Sequence, residues 1–505
     1  MNSTSGQIAD SQATIRSTGT SEGIRIVKVT DTAIRSTRLR LSGLCGWLLM
    51  ALPLIATAVD GGYDPSFAQG GRRLIGLSGE DDLVGLHLKP NRHLLMAGTC
   101  EGISSAATVV PTLCAAEVDA SGTLTGYGPT PSAGGAGTVI LTDLIAQAGN
   151  ESFFTSDSAI DASGRLLFAA RRQAPGSFRA MLFRFSTSGT QVDGQYQRPV
   201  GVGEQDESIY QAIAVDPQGR IVVAGHVRRI GGRLSLLLSR FTAELQPDVS
   251  FGTQGSVRLD SPTLDMEARD LEFDSLGRIL VLGHQADTDF HVTVFRFGSN
   301  GAVDTSFGNG GAAQVAGTTD PRAGGLAIDA SDRPVVLGSN HDPFEFDFDL
   351  FVARFNTNGT RDFGFNTIPG QGGGFLLIEV EDVLGFGLNE SPGDLLVQSN
   401  GKIVLVGAAE RADFSGNWFY TMRLLNNGAS DPAYGVNGLS VGSYEGAPFT
   451  GRSDIGKALT FDPAGYLLVG GPGLPSDFFG SQDFGIARLG NVEVRAELIF
   501  VSGFE

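Results

Sequence analysis

"AVDPQGRIVVAGH", residues 214–226, sets a tight turn between two short apolar runs, and the chain writes nearly the same phrase again and again. "AIDASGRLLFAA" (159–170), "EFDSLGRILVLGH" (272–284), "AIDASDRPVVLG" (327–338), "LVQSNGKIVLVG" (396–407) and "TFDPAGYLLVG" (460–470) are clear copies; "HLKPNRHLLMAG" (87–98) is a worn one. Ile213–Val215 and Ile221–Val223 are rich in β-branched residues, which favour strands. Between them, Asp216 accepts a local amide bond, Pro217 presets its own backbone and Gly219 takes the positive φ that closes a hairpin. Each copy therefore reads as a β-hairpin. In the worn copy Asn91 stands where glycine is usual, and in 327–338 the place is held by Asp332.

A second phrase follows each hairpin: "AMLFRFSTSG" (180–189), "LLLSRFTAEL" (236–245), "VTVFRFGSNG" (292–301), "LFVARFNTNG" (350–359), "YTMRLLNNG" (420–428) and "FGIARLG" (484–490). It reads as one more strand, carrying Arg184, Arg240, Arg296, Arg354, Arg423 or Arg488 before Phe or Leu. A residue type repeated at one structural position points to packing and contacts between units rather than to a ligand. Then comes a glycine-pinned loop into a fourth strand, as in "DVSFGTQGSV" (248–257), "DTSFGNGGAA" (304–313) and "DPAYGVNGLS" (431–440); segments 119–137 and 189–203 lack the Ser-Phe-Gly phrase.

Counted at positions 92, 165, 220, 278, 333, 402 and 466, the unit is about 60 residues long and four-stranded. One such sheet cannot bury both faces, whereas several packed around an axis can. The reading is all-β: a seven-bladed β-propeller over 59–490. "DGGYDPSFAQGGRRL" (60–74) supplies the piece of the repeat that is missing after "FGIARLG", so the two ends are expected to meet.

These phrases together resemble the delta-60 repeat of secreted bacterial proteins, over essentially all of 60–490. The resemblance implies a propeller-like fold on an exported or surface protein, with no assigned reaction.

The 505 residues include 71 glycines, and the formal charge is −19, a field that repels phosphate backbones and excludes nucleic acid as a partner. Residues 1–58 read as a signal peptide with a long polar leader: Arg35, Arg38 and Arg40 precede the apolar Leu41–Ile55 run and Ala56-Thr57-Ala58. That run is too short for a stable membrane span. The protein is therefore expected outside the cell, at its surface or in the periplasm, as a monomer. Residues 491–505, ending "IFVSGFE", read as a sorting tag or a last strand. Cys100 and Cys114 bracket a predicted hairpin and, in an oxidising compartment, are expected to form a disulfide.

The uniform hairpins read as joining the second and third strands of each unit, with the glycine phrases on the same rim. The loops on the other rim vary: "HVRRIGGRLS" (226–235), "HQADTDFH" (284–291), "SNHDPFEFDFD" (339–349), "AAERADFSGNW" (408–418) and "GPGLPSDFFGSQD" (471–483). Recognition is usually carried by such loops, so His226, His284, His291, His341, Trp418 and Phe478 are the candidate binding-face residues. His226 and His284, at equivalent places in adjacent units, are expected to lie too far apart to share a metal. Glu345, Asp347 and Asp349 are a weak calcium candidate, read first as the solvent face of an outer strand. No cofactor is expected. H-E-x-x-H, G-x-S-x-G, P-loop and C-x-x-C signatures are absent, and carboxylates are too numerous to single out a catalytic pair. The preferred reading is a non-enzymatic scaffold binding a glycan, protein or cell-surface partner; the alternatives are a secreted hydrolase or lyase acting on a carbohydrate or lactone, and a structural role in surface assembly.

Overall fold

The computed structural model describes residues 60–491 except 131–133, 148–150, 288, 343–346, 368–372, 379, 381–388, 412–415, 446–452 and 476–480. The leader, most of the C-terminal tail, Glu345 and Phe478 lie outside the described residues.

Strands dominate, with one four-residue helix, Leu141–Leu144, among the described residues. A representative unit runs Glu204–Val215, Ile221–Arg229, Leu234–Phe241 and Ser256–Leu259, all paired antiparallel in chain order. Five sheets hold four strands each, and an eight-stranded sheet joins two such sets through the single parallel bridge Glu207↔Phe178. The fold is all-β and of the propeller type. One sheet is made from both ends of the chain: Arg72–Ile75 pairs with Asp483–Leu489, as the phase of the repeat demands.

The hairpin chemistry is as read. Asp216 Oδ1 accepts from the amides of Gln218 (3.0 Å) and Arg220 (2.8 Å), its Oδ2 from Arg220 Nε (2.6 Å), and Gly219 has φ 77°. In the worn copy the register shifts by one: Arg92, not Asn91, occupies the glycine place, with φ 66°. The strand lettering is also corrected. The hairpin joins the first and second strands of each unit, since the strand before it is the one that lines the axis. The division of loops between the two rims is unaffected, because all positions shift together.

Cores form between neighbouring sheets. Val222, Ala224, Leu236 and Leu238 of one sheet pack with Met266, Ala268, Leu271, Ile279 and Val281 of the next, all nearly sealed from solvent. Apolar burial of this kind contributes about 25 cal/mol per Å².

Polar clamps tie unit to unit. Arg240 is buried, gives Nε to Asp248 (2.8 Å), lies 4.6 Å over the Phe251 ring and donates Nη1 to the Ser299 carbonyl in the next unit. Arg184 reaches Ala243 in the same way, Arg296 reaches Thr357, Arg354 reaches Asn426 (2.6 Å) and Arg488 reaches Ala120 (2.8 Å). Arg423 completes the circuit at Asn491 Oδ1 (2.7 Å) and Asp60 (3.0 Å). A guanidinium serves because it bonds in one plane while its face stacks on an aromatic ring. One unit runs the clamp in reverse. Glu117 stands on the third strand in place of arginine, and Lys89 stands in place of the turn aspartate. Lys89 pairs with Glu117, lies 5.0 Å from the Tyr127 ring centre and donates to Thr187 O (2.8 Å).

The expected Cys100–Cys114 disulfide is not formed; both thiols are free and buried. Cys100 faces Thr112 and Cys114 faces Gly98, so the two are diagonal neighbours. The two thiols interact with each other without being joined. Burial pushes both thiols up in pKa. Among the described residues no helix is long and apolar enough to cross a membrane.

Candidate functional site at the axis

The innermost strands are Asp82–Leu88, Ser152–Ile160, Glu204–Val215, Asp265–Phe273, Arg322–Ile328, Glu390–Val397 and Ala458–Phe461. They enclose a cavity of about 320 Å³ whose wall includes His87, Ser156, Asp157, Ser158, Gln211, Arg269, Asp270, Glu272, Asp394 and Lys457. Register shifts at Leu83/Gly85, Thr155/Asp157, Tyr210/Ala212, Ala268/Asp270, Ala323/Leu326 and Pro392/Leu395 interrupt all but the last of these strands at one level. Bulges of this kind re-aim side chains and recur beside functional sites.

Just past the bulge, the inner strands carry in turn Gly85, Asp157, Ala212, Asp270, Gly325, Asp394 and Ala458, so aspartate alternates with a small residue. Each aspartate is a staple. Asp157 accepts from its neighbour Ser158 N (2.7 Å) and, across the interface, from Ile213 N (2.9 Å). Asp270 accepts from Leu271 N and Leu326 N (2.7 Å each), and Asp394 from Leu395 N (2.7 Å) and Leu459 N (3.3 Å). The small residue on the next strand leaves room for the incoming carboxylate.

Burial pushes these carboxyls up, and the neighbouring carboxylates add to it: Asp157 to about 8, Asp394 to about 7. Asp270 rises to about 6 through burial alone, against two amide bonds. Glu272, two residues further along its strand, rises to about 8 through burial and the charges of Asp270, Asp394 and Asp157. Burial holds the His87 imidazole down at about 4, so it is neutral at ordinary pH. The cavity thus brings together acids that keep their proton near neutrality and an imidazole that lacks its second one. Such opposed shifts are what acid–base chemistry requires.

Sequence reasoning missed this set. Its signal was phase: Asp157, Asp270 and Asp394 each sit four residues before the first turn residue, Asp161, Asp274 and Gln398, in alternate copies, visible only once the repeats are stacked.

His226 and His284 are buried. Glu267 lies between them, 3.2 Å from His284 Nδ1 and 3.8 Å from His226 Nδ1. His284 Nε2 accepts the Ala323 amide (3.0 Å), so Nδ1 holds the proton and donates to Glu267. A metal on Nδ1 would need the opposite tautomer. Burial raises Glu267, but the His284 bond and the charges of Arg269 and His226 outweigh it and hold it at about 2. His341 packs on the Phe348 ring at 5.2 Å, and His291 faces Gln285. Trp418 is half-buried, with Arg411 4.6 Å from its ring centre. Asp347 and Asp349 are buried on a strand flanked by two others, not on the solvent face of an outer strand. Among the described residues no group of three His, Cys, Asp or Glu side chains is arranged to hold a metal.

The family model described as a domain of unknown function (DUF5122) beta-propeller matches residues 217–251 and 398–434. A search of curated proteins found no match. Among solved structures, the chain is similar to a protein of unknown function from Dyadobacter fermentans (10% identity, 84% of this chain and 99% of that one, TM-score 0.43). It is also similar to a PL25 ulvan lyase bound to -[GlcA(1-4)Rha3S]- (10% identity, 83% and 95%, TM-score 0.47). A Penicillium chrysogenum alpha-L-arabinanase complexed with arabinobiose is a third (12% identity, 66% and 92%, TM-score 0.42). At these scores no chemistry carries over to this chain; the family match places it among propeller-type repeats.

Proposed function

We propose that the axial cavity is a reaction site and that the protein is an exported enzyme acting on a carbohydrate or sugar lactone, with Glu272 as the proton donor. The observation that carries this is the cavity itself: about 320 Å³, walled by three aspartates, Glu272 and His87, with Glu272 pushed up to about 8. A half-buried carboxyl that stays protonated near neutral pH can give its proton to a leaving oxygen. We read the eight-stranded sheet as two blades, which makes the wheel seven-bladed; the clamps from Arg488 through Lys89 round to Arg423 support that count. Export rests on the leader's sequence alone.

The test is turnover. Purified protein is incubated with polysaccharides and sugar lactones while reducing ends and acid are followed, beside a Glu272→Gln variant checked for folding by its melting curve. Loss of turnover by about 100-fold or more in the folded variant supports the reading. Equal turnover in both proteins, or none from wild type on any substrate, overturns it.

A binding role for the variable rim has one observation of its own. Val202 and Ile230 stand 95% and 71% exposed on adjoining loops, joined by the Ile230 N to Gly203 O bond. A glycan array that gives signal lost on Val202→Ser/Ile230→Ser but kept in Glu272→Gln would favour this second reading.

A further inference from the structure

Three departures from the repeat converge at one point of the cavity wall. The position facing the third residue of the second strand is aliphatic in Leu86, Ile213, Leu271, Leu326, Leu395 and Leu459; in the one remaining unit it is Ser158. The next residue along the inner strand is Ala159, Ala214, Ala327, Leu396, Thr460 or Glu272 elsewhere, but His87 in the unit adjacent to Ser158. Between them lies Gly85, in the register that holds aspartate or alanine in most other units; a Cβ there would overlap Ser158 Oγ and come within 2.9 Å of His87 Nε2. In the space so left, Ser158 Oγ and His87 Nε2 are 2.7 Å apart, and both line the cavity. A hydroxyl in a position otherwise reserved for leucine gives up apolar burial, and the glycine gives up a side chain; both concessions serve one hydrogen bond.

We propose that Ser158 and His87 are a nucleophile–base pair, and that the substrate class is carboxylic esters or lactones. This deepens the reading above by naming the bond attacked. The geometry is that of an activated serine, with the base within hydrogen-bond reach of the hydroxyl. Neutral His87 with its proton on Nδ1 accepts the Ser158 proton at Nε2 while Oγ bonds to the ester carbonyl carbon. The tetrahedral adduct collapses, the bond from carbon to alkoxy oxygen breaks, and Glu272, on the same cavity wall, gives its proton to the leaving alkoxide. Water then attacks the acyl-serine, giving its proton to the Glu272 carboxylate; collapse releases the carboxylic acid and the proton on Nε2 returns to Ser158 Oγ. Ester and water are consumed, acid and alcohol are formed, and nothing is oxidised.

The test uses the full chain and a fluorophosphonate probe, which forms a bond to a nucleophilic serine with loss of fluoride, read by intact mass and peptide mapping. Labelling at Ser158, abolished in Ser158→Ala, slowed at least 10-fold in His87→Ala and slowed likewise in Gly85→Ala, is the expected result, with all variants melting as cooperative proteins. Labelling is expected to persist in Glu272→Gln, because phosphonylation needs the nucleophile and base alone. That separates the two readings: turnover that survives Glu272→Gln undiminished counts against Glu272 as donor while labelling still stands, and turnover without labelling at Ser158 counts against the pair. No label at Ser158 in folded wild-type protein, or a rate indifferent to His87, overturns the proposal. Should Gly85→Ala fail to fold, His87→Gln supplies the same comparison.

Discussion

The rim and the bore of this wheel both carry aspartates on a repeating scaffold, and they hold them in opposite states. At the rim, side-chain and amide bonds from Ser250 and Ser306, with the charges of Arg240 and Arg296, hold Asp248 and Asp304 below the usual carboxylate range. Burial raises Asp431, but Lys402, the Ala433 amide and Arg423 outweigh it and bring it below the usual range. In the bore burial prevails, and Asp157, Asp394 and Glu272 keep their protons. The same side chain thus serves as a fixed anion where a guanidinium or ammonium pairs with it and as a neutral acid where backbone amides are its partners. A scaffold that neutralises its outer carboxylates with arginine but leaves its inner ones to repel each other has kept its reactive groups apart from its fastenings.

The largest effect expected of any single change is at the rim. Arg423 is fully buried and bonds Asp431 (2.6 Å), Asn491 and Asp60, holding both ends of the described chain. Arg423→Met takes the buried guanidinium from Asp60 and leaves Asp431 with Lys402 alone, and stability should fall by about 3–5 kcal/mol, read from the urea midpoint. A bore change such as Glu272→Gln should cost far less; a comparable loss in the two would break the contrast between fastening and reactive group.

The reversed clamp gives the next test. In Lys89→Asp, Glu117 and the new carboxylate face each other at a buried site, and a loss of about 2–4 kcal/mol is expected. Adding Glu117→Arg restores the polarity of the other units and should recover most of that loss. A double mutant no better than the single would mean that Tyr127 and His93, 2.7 Å from Glu117, fit only the native order.

Stability against pH sharpens the comparison further. Asp157, Asp394 and Glu272 have folded values raised to about 8, 7 and 8, so their contribution is complete below about pH 4, where the unfolded carboxyls are also protonated, and is lost as pH rises through 7 to 8. The rim acts the other way: Asp248, Asp304 and Asp431 contribute above about pH 4, and that is lost on acidification. The melting temperature should therefore peak near pH 4, where the rim contribution is in place and the bore contribution has not begun to fall, and drop on both sides. Glu272→Gln, which has no proton to lose, should flatten the alkaline limb by on the order of 1–2 kcal/mol and leave the acid limb unchanged. An alkaline limb equally steep in the variant would remove Glu272 from the set.

What the sequence made legible follows the same division. Hairpins, Arg-aromatic strands and the meeting of the two ends were readable because each copy repeats the same local chemistry: Asp216 and Gly219 make the turn from residues within reach of each other. The bore was not, because its chemistry depends on which side chains face one another across the axis. Asp157 bonds Ile213, a residue 56 positions away, and Ser158 meets His87 from another unit. The carboxylates looked ordinary in an acidic chain, and only their shared phase sets them apart. Cys100 and Cys114 show the same division: the hairpin brings the two side chains together as its spacing implies, and the thiols stand free.

The smallest effect lies in the hairpin turns, where two non-glycine residues hold the left-handed backbone. Arg92 at φ 66° and Asp332 at φ 58° take the place that Gly219 holds at 77°. Local strain alone would make glycine better at both, by about 0.5–1 kcal/mol. They differ in what the side chain does. Arg92 is exposed on its turn, whereas Asp332 accepts the Ser275 amide (2.8 Å) and hydroxyl (2.6 Å) from the neighbouring unit. Arg92→Gly should therefore raise stability by a few tenths to about 1 kcal/mol, while Asp332→Gly should be neutral or destabilising because the lost bonds offset the relieved strain. Equal gains from both, measured in matched urea titrations, would mean that the Ser275 bridge adds nothing between units and that the clamps at the rim carry that interface alone.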